Sequence, residues 1–225
     1  MQRLQINAVT EKKCCLHGIA PVSPSDVKIC QHFITKFMAV LLTSQDDVVE
    51  SVIAATAVTK EEYPNVYYSS KLETVISILL ATGTQLILDG DNHTASPNAI
   101  LACHFEEWIA VEVRKTKPIY NWTRMYELNK ADIHTLVRFF RKRIPCACLD
   151  EKYKEVKSVK KMGFCFNLSC SLPERMAERS KMFCCTRCGD VNYCSVECQK
   201  ADWKGHRGDC NEIVEAKAAF DSKQS

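Results

Sequence analysis

The sequence predicts a mostly α protein, with an all-α helical domain followed by a small module built around metal. Three observations carry this expectation. Apolar residues recur at helical spacing through most of residues 25–149, without the period-2 alternation and turn pairs that mark hairpins. The cysteines are lopsided: of 14, four lie in residues 1–145 and ten in residues 146–225. Between Met162 and Cys210 large aliphatic residues become too sparse for an ordinary core.

Residues 1–24 form an N-terminal segment. From Ser25, expected as a helix cap, Val27, Cys30, Phe33, Ile34, Phe37 and Leu41 follow the 3.6-residue period. Asp46 and Asp47 open a second segment with Val48, Val49, Val52, Ile53 and Val58, whose β-branched run weakens the helical expectation. Ser70-Lys71-Leu72-Glu73 has the spacing of a capping box. Behind it Leu72, Val75, Ile76, Leu79, Leu80, Gly83, Leu86 and Ile87 make one apolar face, stopped by Asp89-Gly90. Ser96-Pro97, a cap followed by proline at the first helical position, starts a helix that carries Ile100, Leu101, His104, Trp108 and Ile109. Asp132 opens a last segment with Ile133, Leu136, Val137 and Phe140, ending at Arg141-Lys142-Arg143-Ile144-Pro145. These segments fill a helical domain over 25–149. Residues 150–161, rich in Lys and Glu, read as a charged linker or helix; 162–210 read as the metal module and 211–225 as a tail.

The compartment decides between disulfides and metal. The run Met1 to Cys15 lacks the apolar core of a secretory signal, and Val75 to Leu88, the most apolar stretch, is interrupted by Ser77, Thr82, Gly83, Thr84 and Gln85 and too short to span a bilayer. An intracellular protein, cytoplasmic or nuclear and without a membrane partner, is therefore expected. Its thiols stay reduced, and the sequons at Asn92, Asn121 and Asn167 are chance matches. The net charge of +3 supplies no strong field toward phosphate backbones, so nucleic acid is not the expected partner; no oligomeric state is legible.

Eight candidate ligands then follow in four pairs: Cys165 and Cys170, Cys185 and Cys188, Cys194 and Cys198, His206 and Cys210. The gaps of four, two, three and three residues let one short turn aim two donors at one tetrahedral ion. Eight donors fill two four-coordinate zinc sites and leave no open position, which is the signature of structural zinc. Spacing alone does not say which pairs share an ion. Cys184 competes with Cys185, and the two-residue gap to Cys188 selects Cys185.

Tyr193-Cys194-Ser195-Val196-Glu197-Cys198-Gln199-Lys200-Ala201-Asp202-Trp203, followed by His206 and Cys210, resembles the MYND-type zinc finger. The likeness is close over residues 185–210 and extends with looser spacing to Cys165, whose gap to Cys170 is wider than the family's usual two residues. It implies two Zn2+ ions in a cross-braced arrangement, with Cys165, Cys170, Cys194 and Cys198 on one and Cys185, Cys188, His206 and Cys210 on the other. It also implies a protein partner. Fingers of the corepressor-binding type hold an extended Pro-rich peptide along their strand pair, and by motif Thr186, Gln199 and Trp203 fall at the contacting positions. The competing reading has Trp203 covering the second zinc site and Gln199 facing solvent. A second phrase, Arg143-Ile144-Pro145-Cys146-Ala147-Cys148-Leu149-Asp150-Glu151-Lys152-Tyr153, is similar to a group of algal and diatom MYND proteins, which implies an architecture and no activity.

No enzyme is expected. The alternative, a methyltransferase-related or otherwise catalytic helical domain with the finger as accessory, needs a SET-type β-domain, and neither its Asn-His-Ser motif nor a phosphate loop, Gly-x-Ser-x-Gly or His-Glu-x-x-His is present. Cys103-His104 lies in a helical run, where neighbours face different ways, and reads as core; His32, His93 and His134 have no ligand-spaced neighbours. The Arg138–Arg143 cluster reads as cations in the last turn of a helix. Cys15, His17, Cys146 and Cys148 make a candidate third site if the helical domain brings its ends together.

Overall fold

A computed structural model describes residues 23–43, 48–114, 122–130 and 132–221. Eight α-helices carry the described chain, and its strands are confined to two small antiparallel pairs. Helix α1 (Pro24–Thr43) lies on α2 (Val48–Glu62), and a 3-10 turn at Pro64–Tyr67 leads into α3 (Ser69–Leu88). Helices α3 and α4 (Asn92–Arg114) form an antiparallel hairpin, against which α5 (Trp122–Asn129), α6 (Ile133–Arg141) and α7 (Ala147–Val156) pack. The expected apolar periods are the buried faces: Cys30, Phe33, Ile34, Phe37 and Leu41 on α1, and Leu72, Val75, Leu79 and Ile87 on α3. Phe33, Phe37, Tyr67 and Phe105 meet at ring separations of 5.2–6.3 Å, mostly tilted or edge to face, as aromatic quadrupoles prefer.

By length and composition Ser70–Leu88 is long and apolar enough to cross a membrane, which corrects the shorter span read from the sequence. In the fold it is the central helix, covered by α1, α4, α6 and α7. Gly83 sets how closely α6 approaches it. A Cβ there would lie 2.3 Å from Phe140 Cζ, so the glycine makes room for a fully buried ring.

Helix starts differ from expectation wherever a serine has another use. Helix α1 begins at Pro24, not after Ser25, because proline fits the first helical position; Ser23 accepts the Val27 N–H through its carbonyl at 3.0 Å. The capping box at Ser70 does not form, since α3 already starts at Ser69 with Tyr68 in the cap position. Helix α4 starts at Asn92 rather than at Pro97: Asp91 caps it by accepting the Thr94 N–H at 3.0 Å, leaving Pro97 inside the helix. Ser96 instead donates its hydroxyl to the Leu128 carbonyl at 2.6 Å, tying α4 to the end of α5. Asp132 caps α6 as expected, accepting the Thr135 N–H at 2.9 Å. Asp46 and Asp47 lie outside the described residues, and the β-branched run behind them is helical.

The basic run after α6 is largely engaged. Arg143 grips Glu106 through two nitrogens at 2.7 and 2.6 Å and lies 3.7 Å over the Phe139 ring, while Arg141 pairs with Asp150 at 2.5 Å. His104 sits in the core beside Phe37, Phe105 and Trp108, and its Nε2 is 3.0 Å from the Thr56 hydroxyl.

The second part of the chain begins on α5. Strand β1 (Met162–Phe164) pairs with β2 (Met176–Glu178), and Phe164 stacks flat on Tyr126 at 4.7 Å with Arg175 above it at 4.3 Å. Glu127, only 5% exposed, pairs with Arg124 at 3.4 Å and with Arg179. Strands β3 (Phe183–Cys184) and β4 (Asn192–Tyr193) form the second pair, and α8 (Val196–Asp221) closes the chain. Residues 211–221, expected as a tail, continue α8: Ile213 and Val214 pack on the finger, and Lys217 donates to the Cys188 carbonyl at 2.5 Å.

Two predictions follow from this packing. Gly83→Ala should cost about 1–3 kcal/mol despite alanine's better helix propensity, because Phe140 cannot yield without leaving its rotamer. Thermal unfolding checks it, and an unchanged or raised Tm would show that the ring moves freely. Burial holds His104 down at about 4, below its ordinary 6.5. The unfolded chain therefore takes up a proton first as pH falls, so stability fully present above about pH 6.5 is lost toward pH 4, by on the order of 3 kcal/mol. Urea unfolding at pH 7 and pH 5 should show a smaller drop for His104→Gln than for the wild type. Equal drops would refute the assignment, since any loss from the zinc sites is common to both proteins.

Candidate metal centre

The finger's turns aim its donors inward in two sets. Cys165 follows β1, Cys170 closes the loop after it, Cys194 follows β4, and Cys198 lies in the first turn of α8. Cys185 and Cys188 occupy a tight knuckle in which the Cys185 carbonyl accepts the Gly189 N–H at 2.9 Å. Gly189 has φ +72, a left-handed conformation that explains glycine there. His206 and Cys210 lie one turn apart on α8. Cys194 and Cys198 do not share a helical turn: Cys194 precedes the helix, and the intervening Ser195 caps it by accepting the Cys198 N–H at 3.1 Å.

Cys165, Cys170, Cys194 and Cys198 form one tetrad, and Cys185, Cys188, His206 and Cys210 the other, with the ligand atoms of each within 4.8 Å of one another. Cys170 and Cys194 sulfurs are 3.6 Å apart, Cys194 and Cys198 3.4 Å, and Cys185 and Cys210 3.9 Å. Cys188 Sγ stands 3.5 Å from His206 Nε2. A tetrahedron with Zn–S bonds of about 2.3 Å has edges of roughly 3.8 Å. A disulfide needs about 2.05 Å, and the eight candidate ligands form none among the described residues. The donors therefore fit two four-coordinate zinc ions, grouped in the cross-braced order. Cys184 stays exposed on β3, outside either set.

The thiols' electrostatics agree. Burial pushes Cys185 up, but N–H groups of Cys188 and Arg187 and the His206 ring hold it down at about 6. Burial and the neighbouring Cys185 push Cys210 up to about 11. In the other set burial raises Cys165 and Cys194, whereas burial of Cys198 is outweighed by a hydrogen bond from the Asn167 side chain. Within each set one thiol is favoured as the thiolate at its neighbours' expense, and a divalent cation at the centre removes that conflict.

Two supporting residues were missed from the sequence. Asn167 is buried in the wide loop between Cys165 and Cys170, where its Oδ1 accepts the Ser169 N–H at 3.0 Å and its carbonyl the Cys170 N–H at 3.1 Å. Its backbone N–H also works against the upward push of burial on the Cys165 thiol. The two extra loop residues thus accommodate an Asx turn that serves two ligands, and the signal was an asparagine two places after a ligand. Lys217 braces the knuckle, bonding the Cys188 carbonyl and Asp190.

Thr186, Gln199 and Trp203 come together. They line one cleft of ≈ 310 Å³ with Cys185, Arg187 and Lys200. Trp203 is 36% exposed, and its ring touches His206 edge-on at 6.1 Å, with Phe166 and the fully buried Tyr193 also against that imidazole. Cys15 and His17 lie outside the described residues. Of the third candidate set, Cys146 is buried at the cap of α7 and Cys148 half-buried in its first turn. Cys103 and His104 are core.

A cross-braced double-tetrad zinc module is thus the class that this geometry defines. Residues 164–210, about a fifth of the chain, match the family model of the MYND finger, and this stretch is a zinc-binding MYND finger. No solved structure matches the chain.

Metal analysis of purified protein should find two zinc equivalents. Cys194→Ser should lose one or both, and Cys103→Ser neither. Asn167→Ala should keep the fold but release zinc from its site about 10–100-fold more readily to a competing chelator. Release kinetics identical to wild type would remove Asn167 from the site.

Proposed function

We propose that the protein is an intracellular, non-catalytic interaction protein whose finger captures an extended Pro-rich segment of a protein partner. The observation that carries the reading is the convergence of Thr186, Gln199 and Trp203 on one cleft. Trp203 offers part of its face to solvent while its edge rests on His206, a geometry suited to packing a proline ring. Gln199 supplies a donor and an acceptor for a peptide backbone, and Thr186 a hydroxyl. The short β3–β4 pair lies beside the cleft and suits an extended ligand, whose preformed backbone loses little entropy on docking. Phe166 and Tyr193 share the cover of His206, which supports a role for the tryptophan apart from zinc retention.

Trp203→Ala is the test. Capture of Pro-rich peptides by the full-length zinc-loaded chain should fall at least about tenfold, while zinc stays at two equivalents. Loss of zinc together with the tryptophan would make Trp203 a core residue and withdraw the cleft as a docking site.

A further inference from the structure

The cleft's walls come from two elements, the Cys185–Cys188 knuckle and the first turns of α8, and each brings one cation to it: Arg187 and Lys200. Both side chains are exposed, and neither belongs to an ion pair among the described residues. Lys204 and Arg207 of α8 are exposed and in no ion pair among the described residues either, but they do not line the cleft, and several basic groups nearby are engaged elsewhere. Arg175 lies on Phe164, Arg179 pairs with Glu127, Lys160 and Lys181 pair with Glu178, and Lys217 pairs with Asp190.

The acids near the cleft are engaged elsewhere. Asp190 is held by Lys217 at 2.7 Å, and Asp202 accepts the Tyr193 hydroxyl at 2.8 Å. Glu197, one turn before Lys200, is exposed and does not line the cleft. The cleft's own lining, with its aromatic floor, therefore carries two cations outside any ion pair among the described residues and no carboxylate. Arginine's planar fork suits a carboxylate, and lysine supplies a mobile point charge beside it.

Resting on the reading of this cleft as a peptide site, we propose that the preferred ligand is acidic: a Pro-rich segment with a Glu or Asp next to the proline that packs on Trp203, its carboxylate bound between Arg187 and Lys200. The cations would then select among proline-bearing partners, because a peptide with Lys at that position would place like charge in the cleft.

The experiment uses the full zinc-loaded chain and short fluorescent Pro-rich peptides identical except for Glu, Gln or Lys beside the proline. Binding is read by anisotropy at low and physiological salt. The Glu peptide should bind about tenfold more tightly than the Gln peptide, with the gap narrowing as salt rises. Arg187→Gln and Lys200→Gln should each shrink the ratio of Glu-peptide to Gln-peptide affinity, with two zinc equivalents retained. Equal affinity for Glu and Gln peptides would overturn the proposal yet leave the proline-binding cleft standing. Failure of every peptide to bind would overturn both readings. Binding of an oligothymidine that depends on Arg187 and Lys200, without discrimination among the peptides, would assign the cations to nucleic acid and likewise overturn the proposal.

Discussion

Metal coordination takes the place of a hydrophobic core in residues 162–210, and the rest of the finger is arranged around that substitution. Its buried cluster consists of Cys165, Cys185, Cys188, Val191, Tyr193 and Cys210, so most of what would be core is ligand. Structural zinc can contribute on the order of 10–16 kcal/mol per site, more than so few apolar side chains could supply. Helix α8 makes the two sites interdependent. Cys198 near its start serves one tetrad, and His206 and Cys210 two to three turns later serve the other. A shift of this helix along its axis would disturb both ions together, and the chain beyond Cys210 opposes such a shift through Ile213, Val214 and the Lys217 brace.

The finger is also fixed to the helices rather than hung from them. Tyr126 of α5 meets Phe164 face to face, one residue before the first ligand, and Arg175 closes over both rings. Nearby, Glu127 is almost fully buried between Arg124 and Arg179, and Lys130 reaches Glu174 at 3.1 Å. A buried carboxylate with two guanidinium partners is costly to separate, because parting the surfaces strands charge that was desolvated together. The pair thus specifies how the zinc module sits on α5.

Much of this was legible in the sequence, for physical reasons that can be named. Ligand pairs are local, so the spacing of Cys185 with Cys188 or His206 with Cys210 already fixes the turn that presents them. Long apolar periods such as that of α1 are equally local. What escaped were groups with more than one use. Ser25, Ser70 and Ser96 all resemble caps, but Pro24, the earlier start at Ser69 and the Leu128 carbonyl decide otherwise. Pro97 looked like a first helical residue, and Asp91 caps the chain further upstream. The Glu127–Arg179 pair joins positions far apart in the chain, which no local pattern reveals.

Asn167 shows why a departure from a family's spacing can be informative. A two-residue gap between Cys165 and Cys170 would place both thiols with backbone turns alone, as the Cys185–Cys188 knuckle does with help from Gly189. The four-residue gap requires a longer loop, and an unsupported loop beside a metal would let its ligands wander. Asn167 removes that freedom by folding the loop on its own side chain and carbonyl, and in the same conformation it favours the ionised forms of Cys165 and Cys198. The wider gap therefore does not loosen this tetrad. It exchanges a tight knuckle for a buried amide that fixes the loop carrying Cys165 and Cys170, and the Asn-x-Ser sequence that reads as a glycosylation signal here supports the metal site.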